Sequence, residues 1–261
     1  MSNRSLPIIS HTSRSNQPFT PIKDETLTPG WYISPECMQR FGTLKIEKRL
    51  GQGAFGSIHD LCDSVHCDKV VKIVPLSAEN NALPIMDDYI AGQIDIRGYY
   101  KRMDAISYRP ADNYLEIKEH FETEVAITKI AAQLGVSPRL HDAFICSNNI
   151  FYPVGQIYYL GFILLDKWDL TLQDYLTRNR YIPAHLVNKL IALLEQLHSA
   201  GIYHGDLGFQ NIVLRLAQNV PIDVAIIDYG LSNFINSTET EQFARNEMAQ
   251  LISRLNSVTH L

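Results

Sequence analysis

Between Tyr203 and Gly230 the chain reads YHGDLGFQNIVLRLAQNVPIDVAIIDYG, with acids and an amide where packing alone would not put them. Two short apolar runs, Asn211 to Leu214 and Val224 to Ile227, have the length and β-branched content of buried strands. Asp206 and Asn211 border the first run, and Asp228 ends the second. A buried unpaired charge costs several kcal/mol, so acids at the edges of apolar strands call for a compensating partner. A divalent cation with phosphate oxygens is that partner, because hard oxygen ligands suit Mg²⁺. The chemistry these residues invite is therefore metal-assisted phosphate chemistry.

An Asp, an Asn five residues on, a strand, and then Asp-aromatic-Gly resembles the catalytic and metal loops of protein kinases. That resemblance requires a glycine-rich phosphate loop and a strand lysine upstream. The chain supplies Leu50-Gly51-Gln52-Gly53-Ala54-Phe55-Gly56-Ser57-Ile58, then Lys69-Val70-Val71-Lys72-Ile73. A lone GxGxxG is weak, since glycines also serve ordinary turns; three motifs in order are strong. The resemblance implies an α+β, two-lobed protein-kinase-like fold, with a β-rich N-lobe and a short, truncated helical C-lobe. It covers about residues 43 to 255 and implies ATP and Mg²⁺ as cofactors.

The family's roles carry over residue by residue. Leu50, Gly51, Gln52, Gly53, Ala54, Phe55 and Gly56 match the phosphate loop, where backbone N–H groups approach phosphate because no Cβ intervenes. Ile58 and Val70 match residues above the adenine, and Val213 joins the nucleotide set. Lys72 matches the lysine on the α- and β-phosphates. Asp206 corresponds to the residue that takes or orients the acceptor proton, and Asn211 and Asp228 correspond to the metal ligands. Leu165-Asp166-Lys167-Trp168 matches the hinge, with backbone groups of Asp166 and Trp168 facing the adenine edge and Leu165 at the back pocket. His204 supports the loop as a core histidine.

The elements that must position these residues follow from pattern. Ser57 to Leu61 and Lys69 to Val74 read as strands, as does Ile157 to Leu165. Glu119 to Leu134 reads as a helix: Phe121, Val125, Thr128 and Ala132 keep helical spacing, and Gly135 is a good stop. Glu119, Glu122 and Glu124 compete for the lysine's partner. The run EVAITKIAAQLGVSPRLHDAF resembles the same helix in small atypical kinases, which selects Glu124. Thr171 to Thr177, Ala184 to Ser199 after Pro183, and Glu241 to Leu255 complete the helices.

The domain reading is a flexible N-terminal arm over 1–40, an N-lobe over 41–166 with an insertion near 77–118, and a compact C-lobe over 167–261. Trp31 and Tyr32 are candidate anchors of the arm. Only thirty-one residues follow Gly230, fewer than a full protein kinase lobe has. That economy, with HGD and IDYGLS, resembles the Bud32-type kinases; HGD and LGQGAFGSI are also similar to the vaccinia-related kinases.

Net charge is −5 over 261 residues, with 46% hydrophobic residues, so no basic excess points to nucleic acid. No apolar run reaches membrane-span length, and the N-terminus lacks a signal-peptide core. An intracellular, cytoplasmic and reducing setting is the default expectation for four cysteines at this size. His59, Cys62, His66 and Cys67 are zinc-ligating types, but their spacing matches no standard site, and a hairpin turn is the blander explanation.

Two departures bear on mechanism. Gly205 stands where most protein kinases have the Arg that binds a phosphorylated activation loop, which argues against that switch. Gly208 stands where Ser/Thr kinases carry a Lys; Bud32-like kinases also lack it. The resemblance implies a protein substrate phosphorylated on Ser or Thr, with a partner protein completing the short C-lobe. A small-molecule phosphotransferase resembling aminoglycoside kinases, an ATPase, and a non-catalytic nucleotide- or partner-binding module are the alternatives.

Overall fold

The computed structural model describes residues 8–9, 31–53, 56–76, 110–151, 156–179 and 181–259. Two compact units emerge: Met1–Glu122 with Asp142–Leu164, and Thr123–His141 with Leu165–Leu261. The mixed α and β class expected from the motifs holds.

The first unit is built on a sheet whose strands are β1 (Ile8–Ile9), β2 (Trp31–Tyr32), β3 (Lys45–Gly53), β4 (Gly56–Cys62), β5 (Lys69–Pro75), β6 (Leu140–Phe151) and β7 (Gln156–Asp166). Their order is β1-β6-β7-β5-β4-β3, and β2 pairs with β6. Alternation decides which face each residue serves. Across β4 and β5, Ile58 pairs with Lys72 and Asp60 with Val70, while His59 pairs with Val71. Leu61 and Val71 therefore enter the core, where the rings of Phe41, Phe144 and Phe162 lie 5.1–5.5 Å apart. Lys72 and Val70 stand on the opposite face with Ile58. Gly56 is required by close approach: a Cβ there would lie 2.3 Å from the Ile73 carbonyl oxygen.

The arm expected over 1–40 is corrected for its described part. Ile8 pairs with Ile145 in parallel, and Trp31 pairs with Phe151. Helix α1 (Pro35–Gln39) follows, capped by the Ser34 hydroxyl, with Ile33, Cys37 and Phe41 buried. Composition suggested an arm because Ser, Asn, Thr and Pro dominate; three apolar side chains suffice to dock its end. The expected default of a reducing setting also gave no reason to pair the cysteines. The structure joins Cys37 to Cys146 and Cys62 to Cys67. The second disulfide closes the turn between β4 and β5, which leaves no thiolate pair for zinc. No group of three or more His, Cys, Asp or Glu suited to a metal occurs among the described residues.

Helix α2 (Pro110–Gln133) begins nine residues before the expected Glu119, with Pro110 at its first position. The rest of the expected insertion, 77–109, lies outside the described residues.

The second unit packs α3 (Leu172–Arg178), α4 (Ala184–Ser199) and α5 (Thr238–Thr259) around short strands: β8 (Leu170–Thr171), β9 (Ile202–Tyr203), β10 (Ile212–Ala217), β11 (Val220–Ile226) and β12 (Asn233–Phe234). Thr171 caps α3 by accepting the Asp174 N–H at 3.0 Å. α4 buries Leu186, Leu190, Leu193, Leu194 and Leu197, one helical face against Ile212, Leu214, Val224 and Ile226. Each such side chain contributes about 1.5–3 kcal/mol. Gly201, at φ +76°, stops α4. Gln218 and Asn219, at φ 51° and 65°, make the two-residue turn that joins β10 to β11. No helix among the described residues is long and apolar enough to cross a membrane.

Candidate active site

β9 and β10 fix the two ends of the loop 204–211, and β11 delivers the chain to Asp228. Within that loop the backbone turns tightly: Gly208 N–H donates to the Asp206 carbonyl at 2.9 Å, and Asn211 N–H donates to that of Gly208 at 3.0 Å. Asn211 is buried, and its Nδ2 donates to the Asp206 backbone oxygen at 2.8 Å and to Asp206 Oδ2 at 3.1 Å. One amide thus sets both the loop's shape and the carboxylate's direction, while Asp206 itself stays exposed to solvent.

The second acid is tied to the same loop. Ile227 N–H donates to the Asn211 carbonyl at 2.9 Å. From the other side, His204 Nε2 meets the Ile227 carbonyl at 2.9 Å, and its ring lies 5.2 Å from that of Tyr229. Burial pulls the His204 imidazole below its ordinary pKa, against the Ile227 carbonyl and the Glu247 and Asp228 carboxylates, so it stays neutral. A neutral Nε2 facing a carbonyl carries its proton there, which matches the supporting role expected of it. Tyr229 is fully buried and its hydroxyl donates to the Ile226 carbonyl at 3.1 Å. Asp228 is left at φ +67°, a left-handed conformation that Asp tolerates better than most residues and that concentrates at functional sites.

The donor set fits a hard cation. Asn211 turns its nitrogen to Asp206, so the other end of the amide is an oxygen, and Asp228 supplies a carboxylate. Mg²⁺ usually takes only one or two protein carboxylates, the rest coming from phosphate and water.

Gly205 explains the missing arginine sterically. It sits at φ +83°, and a Cβ would lie 2.3 Å from the Leu231 carbonyl oxygen. Gly208 is covered by Gln210, whose amide group would lie within 2.2 Å of a Cβ. That is the far end of a flexible side chain, so the neighbour could move.

The remaining expected residues lie on several elements. Gly51 pairs with Ile58, Gln52 with Ser57, and Gly53 with Gly56, which makes β3 and β4 the arms of the glycine hairpin. Leu50 is exposed at 45%; Ala54 and Phe55 lie outside the described residues. Lys72 is buried on β5. Of the three glutamates on α2, Glu119 is exposed, Glu122 pairs with Lys118 at 3.1 Å, and Glu124 is 5% exposed. Asp166 donates its N–H to the Arg139 carbonyl at 3.0 Å, and its carboxylate takes His141 at 2.6 Å and Arg215 at 3.6 Å. The Arg215 guanidinium lies 4.9 Å over the Trp168 ring. Val213 pairs with Thr171 and Ala225.

Sequence reasoning missed Glu247 and Arg254. Glu247 Oε1 accepts the Gly205 N–H at 2.8 Å, and Oε2 accepts those of His204 at 3.0 Å and His198 Nε2 at 2.9 Å. Burial alone would raise the Glu247 carboxyl, but these hydrogen bonds outweigh it and hold the carboxyl below its ordinary range. Arg254 Nη1 donates to the Leu207 carbonyl at 3.0 Å. One acid and one base on a long amphipathic helix carry no signal in sequence, because nothing marks them from solvated neighbours.

Residues 161–258 match the model of the lipopolysaccharide kinase (Kdo/WaaP) family. A Plasmodium falciparum (isolate K1 / Thailand) protein described as probable serine/threonine-protein kinase 2 is 27% identical over 129 residues, 48% of this chain. Myosin light chain kinase A of Dictyostelium discoideum is 39% identical over 61 residues, 23% of this chain. The chain covers 25% and 20% of those two relatives' lengths.

Proposed function

We propose that this chain, which belongs to the protein kinase-like superfamily, transfers the γ-phosphoryl group of ATP to a hydroxyl acceptor, first of all a protein Ser or Thr. The observation that carries the reading is the Asp206–Asn211 pair, hydrogen-bonded through Nδ2 and tied by Ile227 to an Asp228 held at φ +67°. Phosphoryl transfer demands positioning and charge neutralisation rather than covalent chemistry, and a rigid carboxylate beside a second acid meets that demand.

In this reading Asp206 Oδ accepts or orients the proton of the attacking hydroxyl. Asn211 and Asp228 hold Mg²⁺, which supplies charge neutralisation on the phosphates. Lys72 aligns the α- and β-phosphates, and the hairpin from Gly51 to Gly56 presents backbone N–H groups to them. Glu124 is the choice among the three glutamates, because it is buried on α2, whereas Glu119 is exposed and Glu122 pairs with Lys118. The hinge of Asp166 and Trp168, with Ile58, Val70 and Val213, receives the adenine. A protein substrate is the partner in this reading, and a further protein completing the helical unit is a second.

A saccharide hydroxyl is the second reading for the acceptor. The match to the lipopolysaccharide kinase family favours it, and Gly208 leaves the acceptor side without the lysine of Ser/Thr kinases. The test is incubation with γ-labelled ATP and Mg²⁺, with casein or a basic protein in one arm and lipopolysaccharide in the other. Label in acid-stable phosphoserine or phosphothreonine supports the protein acceptor. Label only in saccharide moves the acceptor to the second reading, and label in neither overturns phosphotransfer to both.

A further inference from the structure

Three successive residues of β10 hold the short segment that runs from Asp166 to Asp169. The Leu214 carbonyl accepts the Asp169 N–H at 3.1 Å, and the Leu216 N–H donates to Asp169 Oδ2 at 2.7 Å. Between these two, the Arg215 guanidinium spans the rest of the segment. Its Nη2 lies 3.6 Å from Asp166 Oδ2, and the group sits 4.9 Å over the Trp168 ring. At the segment's start, Asp166 Oδ1 meets His141 Nε2 at 2.6 Å, and the Asp166 N–H donates to the Arg139 carbonyl at 3.0 Å. Trp168 Nε1 is buried without a hydrogen-bond partner among the described residues, so the guanidinium face, not a hydrogen bond, sets the plane of that ring. All of these residues belong to the second unit.

We propose that Arg215 is a positioning residue that locks the segment Asp166–Asp169 and thereby makes the site selective for adenine over guanine. The selectivity rests on the phosphotransferase reading, in which that segment faces the base. Adenine offers an amino donor beside a ring-nitrogen acceptor, whereas guanine offers an oxo acceptor beside a ring N–H, the reverse order. A backbone carbonyl and N–H held in fixed register match the first base and are left unpaired by the second. A segment free to slide would answer either base, so discrimination requires that it stay still. Arginine suits this work because its planar, always charged group stacks on an aromatic face while reaching a carboxylate. Lysine keeps the charge but not the flat face. Arg215 acts through Asp166 and Trp168, not on the base itself.

The experiment uses the full chain with Arg215→Ala and Arg215→Lys. Displacement of a fluorescent ATP analogue in Mg²⁺ gives Kd for ATP and for GTP. The unaltered chain prefers ATP. Arg215→Ala weakens ATP by about threefold or more, the scale of a half-exposed ion pair with a cation–π contact. It weakens GTP by less, so the preference narrows, and Arg215→Lys falls between. The kcat for transfer at saturating ATP stays within about twofold, because Lys72, Asp206 and Asp228 are untouched. Amide exchange without nucleotide is read in parallel: Arg215→Ala speeds exchange at Asp166 and Asp169 while β11 keeps its protection. Equal loss for both nucleotides would overturn the proposal, as would a preference for GTP in the unaltered chain. So would unchanged exchange at Asp166 and Asp169, or a uniform loss of protection across the unit, which is what a merely structural arginine gives. If the unaltered chain binds neither nucleotide, the phosphotransferase reading and the selectivity fail together, and the exchange data still decide the lock.

Discussion

Gly205 carries two constraints at once: a left-handed backbone and a Leu231 carbonyl where a Cβ would stand. Gly205→Ala should destabilise the fold by about 1–3 kcal/mol, the cost of one strained non-glycine residue, read as a lower denaturant midpoint at unchanged m-value. An unchanged midpoint would show that the loop relaxes freely. Asp206 and Asn211 are separable by their roles. Asp206→Asn should lower kcat by ~10²–10⁴, as loss of a positioned proton acceptor does, and added Mg²⁺ should not restore it. Asn211→Ala should be partly rescued by Mg²⁺, since mass action offsets a weakened site. Titrating Mg²⁺ against initial rate for both variants checks this, and equal rescue would mean the roles are misassigned. At this scale Asp206, Asn211 and Asp228 were legible because short-range spacing holds them on either side of two strands. Glu247 was not, because it lies 43 residues from His204 and acts only through backbone N–H groups.

The elements that carry the loop make its stability depend on pH. His204 is held neutral by burial and Glu247 is held ionised by its hydrogen bonds. Both folded-state pKa values lie below the unfolded ones, so the unfolded chain binds more protons and stability falls as pH falls. His204 contributes fully above its ordinary value of about 6.5 and loses that contribution below it; Glu247 follows below about 4.3. Unfolding measured from pH 8 to pH 4 should show the first decline near pH 6.5. Glu247→Gln should flatten only the acid end, and a profile flat through both ranges would contradict the account. Elements with strong periodicity were the legible ones: α4 ends and begins where its leucines and Pro183 indicated. The start of α2 at Pro110 was obscured by a stretch of mixed charge and aromatics, in which no apolar face announces a helix.

Across the whole molecule the strand Ile8–Ile9 and the Cys37–Cys146 pair were the least legible features, since both rest on contacts distant in sequence. Cys37 and Cys146 are 109 residues apart, Cys62 and Cys67 only 5. In the chain-entropy account a loop of about 100 residues is worth up to ~4.7 kcal/mol, and a short one much less. Reductant should therefore lower the melting temperature, and by nearly the same amount in Cys67→Ala. A reductant effect that disappears in Cys67→Ala would reverse the assignment. The fold class was legible because three motifs stand in order along the chain, and the acceptor was not, because Gly205 and Gly208 mark what is missing rather than what binds. The most direct measurement is transfer of label from γ-labelled ATP in Mg²⁺ by the unaltered chain beside Lys72→Ala and Asp228→Ala. The account predicts transfer by the first and a fall of ~10²-fold or more in each variant, with unfolding midpoints nearly unchanged, since each loses charge at the phosphate site rather than packing. Near-normal turnover in either variant would contradict it.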